Sequence, residues 1–150
     1  MSTDDNSATL DFCLRLARAQ ATMLRRLDNT LGNLHGISFS DFQLLYHLGR
    51  APGARLRRVD LAERLGLTAS GVTRTLLPLE KIGLVARQPD PRDARVGYAV
   101  ISAAGIALLA NAEASARMIC DELLAGAAPE QLAALGAVLG QIAGINLSNH

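Results

Sequence analysis

Residues 56–83 read LRRVDLAERLGLTASGVTRTLLPLEKIG, and this stretch decides the fold. From Arg57 to Leu65 the apolar residues Val59, Leu61, Ala62 and Leu65 recur at the spacing of one buried helical face. Gly66 supplies a left-handed turn without steric penalty, Leu67 plugs that turn, and Thr68 stands where a hydroxyl caps a second helix. The second helix is expected to bury Val72, Leu76, Leu79 and Ile82 and to stop at Gly83. Its first turns leave Ser70, Thr73 and Arg74 facing outward. Pro78 has no amide proton for the Arg74 carbonyl, so a bend is expected beyond those outward residues. Two strand-like runs follow, Leu84–Gln88 and Val96–Ile101, on either side of the charged tip Pro89-Asp-Pro-Arg-Asp-Ala-Arg95. Helix, turn, outward-facing second helix and arginine-bearing hairpin, in that order, are the parts of a reader of double-stranded DNA.

Charge supports the same assignment. The chain of 150 residues has a net charge of only +1, but residues 50–98 hold 10 basic and 5 acidic residues, while both flanks are net negative. Positive charge therefore gathers on the segment that would face phosphates. Hydrophobic residues make up 49% and aromatics only 3%, so the core must be aliphatic and rich in alanine. The length suits a single domain, or one protomer of a small dimer. Cys13 and Cys120 are far apart and lack CxxC spacing, which fits a reducing cytoplasm better than a disulfide scaffold. The start, Met1-Ser-Thr-Asp-Asp5, is acidic where an export signal needs basic residues.

Several residues combine into a family pattern. The run Asp60-Leu-Ala-Glu-Arg-Leu-Gly-Leu67, then Val72-Thr-Arg74, Leu79-Glu-Lys-Ile-Gly-Leu-Val85 and Asp90-Pro-Arg-Asp-Ala-Arg95, resembles the MarR (multiple antibiotic resistance) family of bacterial transcriptional regulators. Ile101-Ser-Ala-Ala-Gly105 resembles that family's entry into its fifth helix. No single piece is specific, but the joined set in this order is. The resemblance implies a mainly α fold with a small β-hairpin wing. Residues 1–150 would form one domain, with dimerisation helices at about 9–34 and 103–147 around a winged helix-turn-helix at about 54–101. It implies a homodimeric regulator, more often a repressor, on a pseudo-palindromic operator. The alternative is a winged-helix protein-interaction module without DNA binding.

In that frame Ser70, Thr73 and Arg74 are expected to read base edges, with Thr68 and backbone amides at the helix start holding phosphate. Arg92 is expected in a minor groove while Asp93 and Arg95 brace the hairpin, although the reverse roles for the two arginines fit the residues as well. The flanks carry a heptad seam: Leu10, Ala17, Leu24 and Leu31, with Cys13, Gln20, Leu27 and Leu34 at companion positions. In the last helical run, starting at Pro129, Gly136, Gly140 and Gly144 share one spacing of four, which predicts close approach of another backbone. A membrane span is disfavoured there by Gln131, Gln141 and Asn146 and by the lack of a basic flank.

Chemistry beyond DNA binding has little support. His35 and His47 lack ligand-spaced partners, no cofactor motif is present, and no acid–base or nucleophile constellation points to an enzyme. Family resemblance implies two kinds of control. A small anionic aromatic effector could sit near Phe39, Phe42 and Tyr46, with Arg15 and Arg18 for its carboxylate. Hydroperoxide-sensing members instead use a cysteine in the first helix, supported by tyrosines; here Cys13 lacks those tyrosines and is expected to be a small core residue.

Overall fold

The computed structural model describes residues 3–93 and 95–144. Met1 and Ser2 of the acidic start, Ala94 at the wing tip, and Asn146 and Leu147 at the expected end of the last helix lie outside them. Helix α1 (Thr3–His35) leads into α2 (Phe39–Arg50), a 3-10 turn at Pro52–Ala54 and strand β1 (Arg55–Arg57). Then come α3 (Arg58–Leu65), α4 (Ala69–Lys81), β2 (Val85–Pro89), β3 (Gly97–Ile101), α5 (Ala103–Leu123) and α6 (Pro129–Ile142). The chain divides into two compact units, one running through Ile119 and one beginning at Cys120.

In the first unit α1 packs on α2, and its buried residues lie in its C-terminal half. Leu27 and Leu31 are fully buried, and Leu44, Leu45 and Leu48 of α2 join the same aliphatic core. The Asp28 carboxylate accepts the Phe39 amide at 2.7 Å, and Ser38 closes a capping box with Asp41, so the start of α2 is held at both ends. His35 Nε2 and Ser115 Oγ lie 2.7 Å apart, joining the end of α1 to α5. Burial and the nearby Arg64 cation lower the pKa of His47, which favours the neutral imidazole.

The expected seam is thus divided. Residues 7–21 of α1 include no buried position, and Leu10 and Leu34 are both more than 60% exposed. Cys13 is exposed as well, which corrects its expected place in a core. Leu24, Leu27 and Leu31 are the members that the chain's own fold covers in whole or in part.

In the second unit α6 ends at Ile142, and Gly144 follows in the left-handed conformation (φ 73°). That glycine terminates the helix rather than extending its face, so the expected triplet reduces to Gly136 and Gly140. A Cβ added at either would meet nothing within 4 Å, so the expected close backbone approach is not made among the described residues. No residue of α6 is buried. No helix among the described residues is long and apolar enough to cross a membrane.

The sheet has three antiparallel strands in the order β1-β3-β2, with Leu56 opposite Ala99 and Arg87 opposite Ala99 on the other side. The hairpin was expected; β1 was not, being three residues long and entered through positive φ at Gly53 and Ala54. Where the sheet meets the helices, the chain is drawn tightly together. Ser102 donates its amide to the Leu84 carbonyl (3.0 Å) and its hydroxyl to the Gly83 carbonyl (2.6 Å), and its oxygen accepts the Gly105 amide (3.0 Å). A Cβ on Gly105 would collide with the Leu84 carbonyl oxygen and stand 2.7 Å from Ile101 Cγ1. Gly105→Ala is therefore expected to lower stability by about 1–3 kcal/mol, measured by urea unfolding. An unchanged midpoint would contradict the close approach.

Candidate nucleic-acid interface

The helix pair is built by local chemistry. Gly66 caps α3 in the left-handed conformation (φ 65°), and the Leu67 amide reaches back to the Ala62 carbonyl at 2.9 Å. Thr68 has extended backbone and its Oγ1 accepts the Gly71 amide at 3.1 Å, as its capping role requires. Leu61 from α3 and Val72, Leu76 and Leu79 from α4 are buried. Three apolar positions depart from expectation. Val59 is 67% exposed, because α3 starts only at Arg58 and its first turn has no covering element. Ile82 is 62% exposed, because α4 ends at Lys81 and the Ile82 backbone leaves the helical conformation. Leu67 is 42% exposed and covers the turn only in part. The helix runs on through Pro78 to Lys81.

Ser70, Thr73 and Arg74 line one side of an open cleft of about 730 Å³, with Ala69. Its other walls are Arg57, Arg58 and Val59 from β1 and α3, and Arg95, Val96 and Gly97 from the wing. The sequence-derived trio is thus brought together with Arg95. Arg92 is not part of the cleft wall; it is exposed at the wing tip, its amide donating to Asp90 Oδ1 at 2.8 Å. Thr68 acts through its cap. Arg74 is exposed and makes no hydrogen bond or ion pair among the described residues, so its guanidinium is available to a ligand. The Thr73 hydroxyl is engaged twice: it donates to the Ala69 carbonyl (3.1 Å) and accepts from Arg58 Nη1 (3.3 Å).

Arg57 and Arg58 were not singled out from the sequence. Their signal was present as three arginines within residues 55–58, but its meaning depended on a strand too short to recognise. Tyr98 organises the outer face of that strand. Its ring carries the Arg55 guanidinium at 4.4 Å and the Arg57 guanidinium at 5.6 Å. Arg57 also donates to the Tyr98 hydroxyl (3.5 Å), and that bond is the main cause of its raised pKa.

The wing is stiffened by its own carboxylates. Asp90, with an 11% exposed side chain, stands 3.6 Å from Arg57 and accepts from the Tyr98 hydroxyl at 3.4 Å. Asp93 accepts both the Arg95 amide (3.0 Å) and Nε (3.3 Å), the brace expected for this pair. Arg87 of β2 pairs with Glu80 of α4 at 2.8 Å and ties the wing to the second helix.

The remaining candidate residues divide into separate groups. Phe39, Phe42 and Tyr46 form a continuous ring contact with 6.0 Å steps, and Phe42 is buried. The cation over Tyr46 is Arg50, at 4.7 Å. Arg15 instead pairs with Asp11 at 2.7 Å, and Arg18 is exposed on α1; neither contacts the rings among the described residues. In the second unit, burial and the neighbouring Asp121 raise the Cys120 thiol, which keeps it protonated. No group of residues that could hold a metal ion occurs among the described residues.

Comparison with known proteins extends these observations. Residues 35–96 match the model of the MarR family. The chain is similar to the transcriptional regulator BldR from Sulfolobus solfataricus, with 27% identity, 94% of this chain and 99% of that chain covered, and a TM-score of 0.82. It shares its fold with Sco3205, a MarR family transcriptional regulator from Streptomyces coelicolor solved in complex with DNA (24% identity, 95% and 88% covered, TM-score 0.83). It shares it also with a mutant MarR from E. coli complexed with operator DNA (22% identity, 95% and 99% covered, TM-score 0.77). Comparison with curated proteins gives no match.

Proposed function

We propose, on the match of residues 35–96 to the MarR family model, that the chain is a MarR-type regulator that acts in the cytoplasm as a homodimeric, ligand-responsive repressor of transcription. The cleft is the observation that carries this reading. It gathers Ser70, Thr73 and Arg74, the last without a partner among the described residues, on the first turns of a capped helix, facing three further arginines. A guanidinium there can form a bidentate pair with the O6 and N7 acceptors of guanine in a major groove. The amides at the Thr68-capped helix start suit a phosphate, and the exposed Arg92 suits a minor groove beside it.

A second copy of the chain accounts for two apolar surfaces. Leu10 and Leu14 of α1 are 63% and 61% exposed, and in α6 Leu132, Leu135, Val138, Leu139 and Ile142 range from 39% to 55%. Helical faces of this kind are covered in solution by a partner. For control, the proposed effector is a small aromatic carboxylate. The Phe39–Phe42–Tyr46 contact with Arg50 supports an aromatic anion in chemistry, while Arg15 would have to leave Asp11 to take part. Either form of control must favour a dimer geometry that no longer fits the operator.

Arg74→Ala is expected to weaken operator binding by about 1–3 kcal/mol at fixed salt, with unchanged circular dichroism. Undiminished affinity would place the base-reading residues elsewhere, and no salt-dependent binding by the wild type to any duplex would favour the protein-interaction alternative. Control is tested by operator release from wild type and Cys13→Ser. Salicylate-like acids should release both proteins and an organic hydroperoxide neither. Hydroperoxide release of the wild type alone would make the exposed Cys13 the sensor in place of a ligand site.

A further inference from the structure

The cleft contains an apolar element that phosphate binding and hydrogen-bonded base reading leave without a role. Val59 is the most exposed large apolar side chain among the described residues, at 67%, yet it sits in a wall otherwise supplied by arginines. Ala69, also exposed, lines the same cleft, as does Thr73. A threonine hydroxyl has one proton and two lone pairs. The Thr73 proton is committed to the Ala69 carbonyl at 3.1 Å, and one lone pair receives Arg58 at 3.3 Å. Nothing is left to donate to the N7, O6 or O4 acceptors that line a major groove. What Thr73 still offers without rearrangement is one lone pair, which only an amino donor of adenine or cytosine could use, and its methyl.

We propose that Val59, Ala69 and the Thr73 methyl form an apolar recess that selects the 5-methyl group of a pyrimidine, so that each half-site prefers thymine at the position facing Thr73. Of the four bases in ordinary DNA only thymine carries such a methyl in the major groove; 5-methylcytosine presents the same group. Arg58 is then a positioning residue, since its bond to Oγ1 helps hold the hydroxyl turned back on its own helix. The proposal rests on α4 being the DNA-reading helix and adds which base it reads through an apolar contact. It also gives the exposed Val59 a partner.

The test uses the full-length protein and duplexes it selects from a random library. Each thymidine of the selected site is replaced by deoxyuridine, symmetrically in both half-sites. At one position per half-site the wild type should lose about fourfold for each missing methyl, or about fifteenfold for both. At that position 5-methylcytosine should bind about fourfold more tightly than cytosine, which separates the methyl from the rest of the thymine edge. Thr73→Val, which keeps a methyl and loses the hydroxyl, should retain the deoxyuridine penalty, and Thr73→Ser should reduce it. Selective binding with no penalty at any position, or an undiminished penalty in Thr73→Ser, would overturn the recess while leaving DNA reading intact. Failure to select any sequence would overturn both.

Discussion

The winged helix-turn-helix of this molecule depends on two backbone carbonyls, those of Gly83 and Leu84. A helix end leaves carbonyls without partners, and they must be satisfied if the chain is to turn sharply. Here Ser102 supplies both donors, its hydroxyl to Gly83 and its amide to Leu84, and its oxygen then caps the start of α5 by accepting the Gly105 amide. Only a residue without a side chain fits at Gly105, because a Cβ there would run into the Leu84 carbonyl oxygen. The end of α4, the root of the wing and the start of α5 are thereby fixed at one place. The Glu80–Arg87 ion pair adds a second tie, but with side chains 21% and 55% exposed it contributes at most about 1 kcal/mol. Steric closure at the junction is the stronger constraint, and it fixes how the wing stands beside the second helix.

That scaffold arranges charge rather than neutralising it. Residues 50–98 hold twice as many basic as acidic residues, yet the wing carboxylates among them mainly brace the backbone. Asp90 and Asp93 each accept an amide two residues along, and Tyr98 supports two guanidinium groups with its ring. Arg74 is left free among the described residues, facing Arg57, Arg58 and Arg95 across the cleft. Like charges gathered in this way repel one another. The braced wing and the capped helix hold them close, an arrangement suited to a polyanion that would release its counterions on binding.

How much of this was legible in the sequence depended on how local the cause was. Gly66 and Thr68 act within a few residues of themselves, so the turn and the start of the second helix could be read directly. The wing strands were placed to within about a residue because turn chemistry at Asp90 and Asp93 marks the tip between them. Burial was less legible where it depends on what covers a face. Val59 and Ile82 fit an apolar period but lie beyond the cover of any neighbour, and the α1 seam divides where its own unit stops touching it. Strand β1 gave no signal, since three residues carry no periodicity, and the significance of Arg57 and Arg58 was lost with it. Gly144 matched a helical spacing of four, but its φ of 73° assigns it to a turn. The effector residues were the least legible, because sequence spacing says nothing about whether Arg15 and the α2 rings face one cavity.

α1 has no buried position over residues 7–21 and α6 has none at all, which suits the proposed symmetric pair of chains, and in such a pair two joined reading helices would impose a spacing on the DNA. Hydroxyl-radical footprinting of the wild-type protein on its selected operator measures that spacing most directly. The account predicts two equivalent protected half-sites related by a two-fold axis, their centres about 10 base pairs apart on one face of the duplex. A single unsymmetrical protected patch, or half-sites on opposite faces, would contradict it.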